Sequence, residues 1–454
     1  MILATLDVIG KLRRFSSGAV VLTASIIAGF ALFSLDASLE RILLIGGAAV
    51  GVIALLIYPE LALALYVVVG DIKGDERVSS LFPVDLTLAM AAILLGGIAL
   101  NLLRKKRVAP MPPIYFLFIV LVTMMIASLL YTPVPEAGAE KLARFLTVTG
   151  IVIVAPFFLL GSPEAMKRFL AGFSVLAYAI CSYSLTGLGG SERLATPTNN
   201  TIGLGHIACA LIILIWFAVV PRFSFPQRML TYTLLIVPGL ALIGSGSRGP
   251  AVALAIVVLA SLIFYRQLLL DLACLLAIGL LALPFANIPE SSLEYMGSLI
   301  RSRSVSGLLS FRGELLDYGW KLLQQHPLIG TGIEGFRYYS PNAGVYKWPH
   351  NIFLEVACEL GIPAGLLVCF LFGAALREAF LQLRDKTSPY SMLSQIAAAL
   401  LLIGIVNAMN TGDINSDRST WLFVSLVFVV RALRSRAATK KAVVLRPSPQ
   451  PVLA

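Results

Sequence analysis

Long apolar segments separated by short polar stretches follow one another along most of this sequence. We delimit fourteen of them, at residues 18–35, 41–58, 59–70, 84–103, 112–131, 143–160, 168–186, 202–220, 229–244, 249–265, 268–286, 351–375, 392–409 and 420–433. Several of these segments reach the roughly 18 residues that cross a bilayer core as a helix. The pattern predicts an all-α, polytopic transmembrane protein with 12–14 spans, because the short segment 59–70 can also form a re-entrant piece.

The composition supports a membrane protein and argues against a nucleic-acid-binding one. Of the 454 residues, 58% are hydrophobic and 13% are charged, whereas soluble proteins carry about 25% charged residues. The net charge is +11, but the positive residues lie in short clusters between apolar segments. That is the pattern of loops beside anionic lipid. We therefore expect membrane lipids as partners and no nucleic acid.

The distribution of Lys and Arg predicts which loops face the cytoplasm. With the N-terminus inside, 21 of the 35 Lys and Arg residues fall in cytoplasmic loops, 8 in short external loops and 6 in the long loop 287–350. Positive residues favour the cytoplasmic side, so both termini are predicted to be cytoplasmic and the loop 287–350 external. In that loop the apolar spacing of Arg312–Leu323 predicts an amphipathic helix.

Three regions follow from this organisation. We predict an N-terminal transmembrane scaffold at residues 1–190, a second transmembrane domain at 191–433 that includes the external loop, and a disordered basic cytoplasmic tail at 434–454. The chemistry-bearing motifs lie in the second domain.

Arg248 stands in a short external turn, Gly244-Ser245-Gly246-Ser247-Arg248-Gly249-Pro250. Small residues with accessible amides around one guanidinium suit an anion, since both can share phosphate oxygens. Pro250 also fits the first turn of the next helix, whose N-terminus favours negative charge. The alternative is an interfacial arginine that reaches toward lipid headgroups. We favour an anion site.

Arg193 lies in a second external loop, which contains Asn199 and leads into the helix that starts near 202. A diphosphate needs more than one cation, so Arg193 is a candidate partner of Arg248. An ordinary surface loop with an Asn or Thr helix cap is equally compatible with Arg193 alone. Arg312 is a third candidate, with a solvated helix-end charge as its alternative.

His350 is the candidate catalytic residue. It follows Pro349 and precedes a helix predicted over 351–375, and an imidazole at a helix mouth can take a proton from a hydroxyl. Asn351, Glu355 and Glu359 are spaced by four, so they share one helix face. We expect Glu355 and Glu359 to orient side chains or to bind substrate. The alternative is an interfacial histidine with capping neighbours.

Several kinds of chemistry have no motif here. The sequence has no Gly-x-x-x-x-Gly-Lys loop for nucleotide phosphates and no His-x-x-Glu or Asp-x-Asp pattern for a metal. The five cysteines form no Cys-x-x-Cys pair. We therefore expect neither cofactor nor metal, and a substrate that arrives already activated.

The order of these motifs resembles the O-antigen ligase and O-antigen polymerase family of bacterial inner membranes. The resemblance rests on Ser247-Arg248-Gly249, on His326-Pro327-Leu328-Ile329-Gly330-Thr331-Gly332 and on His350-Asn351-Ile352-Phe353-Leu354-Glu355, with the Arg193 loop upstream. It covers roughly residues 190–410.

The resemblance implies a metal-independent, inverting glycosyl transfer on the periplasmic side of the inner membrane. The donor would be a glycan linked to a polyprenyl diphosphate, and the acceptor would be lipid A–core oligosaccharide or, in a polymerase, another glycan. Arg193, Arg248 and Arg312 would bind the diphosphate, and His350 would be the base, supported by Asn351, Glu355 and Asn199.

Two other functions stay open at this point. A polymerase would use the same donor. A secondary transporter could use Arg248, Glu355 and Glu359 as coupling charges, although transporters usually show internal repeats and no repeat is evident here.

Overall fold

The computed structural model of the protein describes residues 50–74, 85–219, 224–264, 269, 271–275, 286–301, 305–340, 347–385, 387–410 and 412–444. Every regular element in these ranges is helical, which confirms the predicted all-α fold. The predicted segment 18–35 and most of 268–286 lie outside the described residues.

The helices are numbered here in chain order. The first ten are α1 (Pro59–Val68), α2 (Leu86–Leu103), α3 (Phe116–Ser128), α4 (Pro135–Arg144), α5 (Gly150–Leu159), α6 (Pro163–Ser184), α7 (Thr201–Val219), α8 (Phe225–Tyr232), α9 (Ile236–Ser245) and α10 (Arg248–Phe264). Those that follow are α11 (Glu290–Arg301), α12 (Val305–Gln325), α13 (Gly335–Tyr339), α14 (Ile352–Leu360), α15 (Ile362–Arg384), α16 (Ser391–Ala408) and α17 (Arg418–Val444).

Many of these helices suit a membrane interior. Within the described ranges, six helical stretches are long and apolar enough to cross a bilayer, namely Leu86–Leu103, Pro135–Leu159, Pro163–Gly187, Pro226–Ser245, Ile362–Arg384 and Ser391–Ala408. Shorter apolar helices cover Pro113–Ser128, Thr201–Phe217 and Arg248–Ile263. The protein is thus a multi-pass helical membrane protein.

The segment expected to be a span or a re-entrant piece is sharply bent. Val50–Ile57 and Pro59–Asp71 meet at 112°. Pro59 occupies the first position of α1, where its missing N–H costs no helical hydrogen bond. The bend leaves the end of α1 and the turn at Asp71 beside the candidate site.

The helix predicted over 351–375 is broken, and Gly361 is the reason. Its φ is +88°, a conformation that a residue with a Cβ rarely adopts. A Cβ on Gly361 would also fall 2.1 Å from the carbonyl oxygen of Leu328. The chain therefore ends α14 at Leu360 and starts α15 at Ile362, with Pro363 in the first turn.

The long loop contains helices, as predicted. The predicted amphipathic segment Arg312–Leu323 lies within α12. Its apolar residues Leu315, Leu322 and Leu323 are buried in one cluster with Phe336 and with Ala357 and Cys358 of α14. Burial of this apolar face anchors the loop to the helix that follows His350.

Helix α17 passes through the centre of the bundle and reaches its other end. The Trp421 ring is fully buried and contacts the rings of Phe118, Phe145 and Phe372 at centroid distances of 5.4, 6.2 and 5.1 Å. Arg434 donates hydrogen bonds to Gln382 and Asp385. These contacts fix α17 against α3, α15 and the turn after α15.

The C-terminal region differs from the prediction. Residues 434–444 continue α17 instead of forming a disordered tail, and only 445–454 lie outside the described residues. Alanines, which favour helix most, recur here, and the Arg436 guanidinium donates to the carbonyl oxygens of Gly161 and Val108. Propensity and these tertiary bonds keep the segment helical.

Candidate functional site

His350 is held by its neighbour two residues earlier. The indole Nε1 of Trp348 donates a hydrogen bond of 3.2 Å to His350 Nδ1, and the two rings meet edge to face at 6.0 Å. An indole nitrogen is only a donor, so Nδ1 is unprotonated and the neutral ring carries its proton on Nε2. His350 also has a φ of +57°. This strained backbone occurs between Pro349 and the first residues of α14.

Asn351 caps the helix that follows. Its Oδ1 accepts from the backbone N–H of Leu354 at 3.0 Å, and its Nδ2 donates to the carbonyl oxygen of Met409 at 3.2 Å. A side chain that satisfies a free N–H in the first turn fixes where a helix begins. Asn351 thus positions the His350 end of α14.

His350 and Trp348 line a cavity of about 770 Å³. Its charged lining residues are Lys73, Arg144, Arg418, Asp71, Asp85 and Asp417. Arg193 and Arg248 do not line this cavity. The volume lies in the usual range for a small-molecule site.

Arg193 and Arg248 come together at a second place, and Tyr295 of α11 links them. Their guanidinium carbons lie 4.4 and 4.9 Å from the centre of the Tyr295 ring. Burial lowers the pKa of the Arg193 guanidinium, the Tyr295 phenol works against that shift, and the nearby Arg248 adds to it. The structure therefore joins the two predicted arginines into one positive group, held by an aromatic ring through cation–π contacts.

The loop chemistry explains how the pair is built. Arg193 Nε donates to the carbonyl oxygen of Ser245 at 2.7 Å, and its Nη2 lies 3.4 Å from Ser247 Oγ. Gly246 has a φ of +60°, and a Cβ there would lie 3.0 Å from Arg193 Nε. The glycine-rich turn therefore accepts Arg193 against its backbone and starts α10 with Arg248.

Helix α7 contacts both the His350 cavity and the turn that carries Arg248. Ile202, Gly203 and His206 line the His350 cavity. From the other side, Ser247 Oγ donates to the carbonyl oxygen of Thr201 at 2.9 Å, and a Cβ on Gly205 would lie 3.0 Å from the Cβ of Ser247. The first turns of α7 thus contact both the cavity and the turn that carries Arg248.

Glu355 and Glu359 form a buried ion cluster with Lys141. Lys141 Nζ lies 2.7 Å from Glu355 Oε1 and 2.8 Å from Glu359 Oε2, and all three side chains are at most 4% exposed. Glu355 Oε2 also accepts from the backbone N–H of Ile414. Sequence reasoning placed the two carboxylates on one face correctly, but it missed Lys141, which lies more than 200 residues away in sequence.

Asn199 and Arg312 are the two remaining site residues predicted from the sequence. Asn199 is exposed with a φ of +59°, and its neighbour Asn200 makes the helix cap instead, because Asn200 Oδ1 accepts from Gly203 N–H at 2.8 Å. Arg312 lies in α12, but its side chain lies outside the described residues. The expectation that it joins an anion site therefore stays a prediction.

Arg144, Arg418 and Asp417 were not assigned a role from sequence. Asp417 is 3% exposed, and its Oδ2 accepts no hydrogen bond in the part of the chain that the structure describes. Burial raises the pKa of the Asp417 carboxyl well above its usual value, and the nearby Asp413 adds to the rise. A neutral carboxyl in this cavity can both donate and accept, as a sugar hydroxyl requires.

No group of three or more His, Cys, Asp or Glu side chains in the described ranges is arranged to hold a metal ion.

Comparison with known proteins relates part of the chain to a described family. Residues 233–369 match the family model described as O-antigen ligase. The matched segment contains Arg248, Tyr295 and the stretch from His326 through Glu359. No curated protein matches the chain. Residues 233–369, which carry the His350 and Arg248 motifs, are thus similar to the O-antigen ligase family.

Proposed function

We propose that this protein transfers a glycan from a polyprenyl diphosphate to an acceptor glycan on the periplasmic side of the bacterial inner membrane. The observation that carries the proposal is the combination of an arginine pair and a histidine-lined cavity, both beside the first turns of α7. The family match to the O-antigen ligases supports the same reaction type. Lipid A–core oligosaccharide is the acceptor that a ligase uses.

The Arg193–Arg248 pair and His350 have different roles in the proposed reaction. Arg193 and Arg248 bind the diphosphate, whose negative charge grows as the bond to the anomeric carbon breaks. Fixed cations at the point where charge develops lower a reaction barrier more than they strengthen substrate binding. The electron pair of the broken bond stays on the departing diphosphate, where the two guanidinium groups offset its charge, and the donor is already activated, so no nucleotide is required.

His350 accepts the proton from the acceptor hydroxyl. Since Trp348 occupies Nδ1 in the resting site, the acceptor hydroxyl takes the place of the indole at this nitrogen. The proton moves to Nδ1, the hydroxyl oxygen bonds to the anomeric carbon, and the ring becomes an imidazolium with both nitrogens protonated. Attack opposite the leaving group in one step inverts the anomeric configuration.

The predicted topology supports a cavity on the periplasmic side. Lys73, Arg144, Arg418 and His350 all belong to segments that the charge count assigns to the external side, and all of them line one cavity. Arg434 and Arg436, assigned to the cytoplasmic side, gather at the other end of α17. We propose that both termini are cytoplasmic and that the cavity opens to the periplasm.

Deleting the gene separates the functions that remain. A ligase predicts that the strain retains free lipid-linked polymer and loses polymer on the lipid A–core. A polymerase predicts core capped by a single repeat unit. An unchanged surface-glycan pattern on a gel would contradict both reactions and leave transport as the function to test.

A further inference from the structure

The His350 cavity contains a pair of arginines of its own, Arg144 and Arg418. Both line the cavity, where Asp71 attracts the charge of Arg418 and Arg144 repels it. Two like charges in one cavity destabilise each other unless groups of opposite charge compensate them. The pair is separate from Arg193 and Arg248, which do not line the cavity.

Arg418 is positioned by a glycine. A Cβ on Gly70 would lie 2.0 Å from Arg418 Nη2, so only glycine lets the guanidinium lie against the backbone there. Its single hydrogen bond to a described residue is a long one, 3.5 Å from Nη1 to the carbonyl oxygen of Tyr66. A guanidinium has five N–H donors, so most of the hydrogen-bonding capacity of Arg418 remains for a ligand.

Neither arginine has a carboxylate within ion-pair distance in the described ranges. Asp85 is paired with Lys73 at 3.0 Å, and the burial of Asp417 favours its neutral form. Asp71 is the remaining carboxylate that lines the cavity, and it acts on Arg418 electrostatically. The arginine pair is therefore only partly compensated.

The backbone adds to the positive field. Ile202 and Gly203 belong to the first turn of α7, while Arg418 and Ser419 form the first turn of α17, and all four residues line the cavity. Helix N-termini carry partial positive charge and free N–H groups, which favour an anion. Two helix starts and two guanidinium groups thus face one space.

We propose that Arg144 and Arg418 bind a phosphoryl group of a glycan substrate inside the His350 cavity, as a second anion site beside the Arg193–Arg248 pair. The proposal rests on the proposed function for the identity of the ligand as a substrate. The phosphoryl group belongs to a phosphorylated sugar of the acceptor, because Arg193 and Arg248 hold the diphosphate of the donor. It fixes the acceptor beside His350.

Binding can be tested without turnover, so its outcome does not depend on whether the protein transfers glycans. Titrate inorganic pyrophosphate into the purified full-length protein in detergent and measure heat and stoichiometry. We expect two equivalents for the wild type. Arg418→Gln and Arg144→Gln each weaken one equivalent, by roughly ten- to hundredfold for a lost charged hydrogen bond, whereas Arg248→Gln weakens the other.

Arg377→Gln is the matched control, because this arginine is exposed and lines a different cavity. The Arg377→Gln variant should bind both equivalents of pyrophosphate. Arg144 is exposed in the structure, so Arg144→Gln reports on the site even if Arg418→Gln does not fold. A single equivalent in the wild type, or a second equivalent that neither Arg144→Gln nor Arg418→Gln weakens, would overturn the proposal.

The source of the phosphoryl group is found with two further titrants. A sugar 6-phosphate should compete with pyrophosphate at the equivalent that Arg418→Gln weakens. A polyprenyl diphosphate without glycan should compete at the equivalent that Arg248→Gln weakens. Failure of the sugar 6-phosphate to compete would overturn the assignment to a phosphorylated acceptor.

Discussion

Trp348 donates its indole N–H to Nδ1 of His350, and so it occupies the nitrogen that the proposed reaction needs as a base. The contact defines a resting state in which the lone pair of Nδ1 is protected. It also fixes the ring orientation toward the cavity, because a ring turned by half a revolution would present a carbon to the indole.

The Trp348→Phe variant tests this relationship. Phenylalanine keeps an aromatic ring against His350 but has no N–H. We expect the kcat/KM for the acceptor to rise by about two- to tenfold, because a hydrogen bond worth about 0.5–1.5 kcal/mol no longer has to be broken. Steady-state kinetics with the acceptor varied measures this. A fall of more than tenfold would show that the indole itself is required for the reaction.

Gly246 is expected to be essential for the geometry of the arginine pair. In Gly246→Ala, the new Cβ approaches Arg193 Nε to 3.0 Å at a φ of +60°. The left-handed conformation alone costs about 1–2 kcal/mol for a residue with a Cβ. We expect lower thermal stability together with weaker donor binding.

Gly239→Ala, in the helix that ends just before Gly246, is the matched control. Its Cβ would meet no atom of the described residues within 4 Å, and alanine favours a helix over glycine by about 0.8–1.0 kcal/mol. It should therefore be at least as stable as the wild type and bind donor normally. Equal behaviour of the two variants would contradict the role given to Gly246.

We expect the ion cluster of Lys141, Glu355 and Glu359 to stabilise the packing of α14, the helix that follows His350. Lys141→Met leaves two buried carboxyls without their cation, and breaking a buried pair costs about 3–5 kcal/mol. Melting in detergent should show a large loss, whereas Lys73→Met removes an exposed pair worth about 1 kcal/mol or less. Adding Glu355→Gln and Glu359→Gln to Lys141→Met should recover part of the stability. A melt of Lys141→Met that matches that of Lys73→Met would refute the cluster's role.

Asp417 gives the protein a pH dependence of definite sign. Its folded pKa is raised from the usual 3.8 by burial and by Asp413. The stability from its neutral form is fully present below the unfolded pKa and is lost as the pH rises through the folded value. Wild-type melting temperature should therefore fall as the pH rises above the usual value of 3.8, and Asp417→Asn should flatten this fall. Asp317→Asn changes an exposed carboxyl and should show the same fall of melting temperature with pH as the wild type. The same fall in Asp417→Asn would contradict the raised pKa assigned to Asp417.

The sequence predicted what depends on local pattern. Apolar periodicity located the helices, and the alternation of loops placed Arg193 and Arg248 on one side, where the structure joins them. It did not predict the break at Gly361, because the apolar run continues across it and only the carbonyl of Leu328, far away in sequence, excludes a Cβ. The composition of residues 434–444 had suggested disorder, but their helix propensity favours the observed helix.

The missing parts of the site depend on tertiary contacts. Arg144 and Lys141 looked like ordinary external loop cations, and nothing near them in sequence identifies Arg418, Glu355 or Glu359 as neighbours. Tyr295 carries no motif, yet it holds both arginines of the predicted pair. Only the packing of α4, α14 and α17 brings these residues to one end of the bundle.

The most direct test of the account is a transfer assay with purified protein, a polyprenyl-diphosphate-linked glycan and an acceptor oligosaccharide. His350→Asn is the informative variant, because asparagine tolerates the φ of +57° found there and lacks the imidazole. We predict transfer by the wild type without nucleotide and in the presence of a metal chelator. We predict a rate roughly 10²- to 10⁴-fold lower for His350→Asn, the usual contribution of a general base. Transfer by His350→Asn at the wild-type rate would contradict the account.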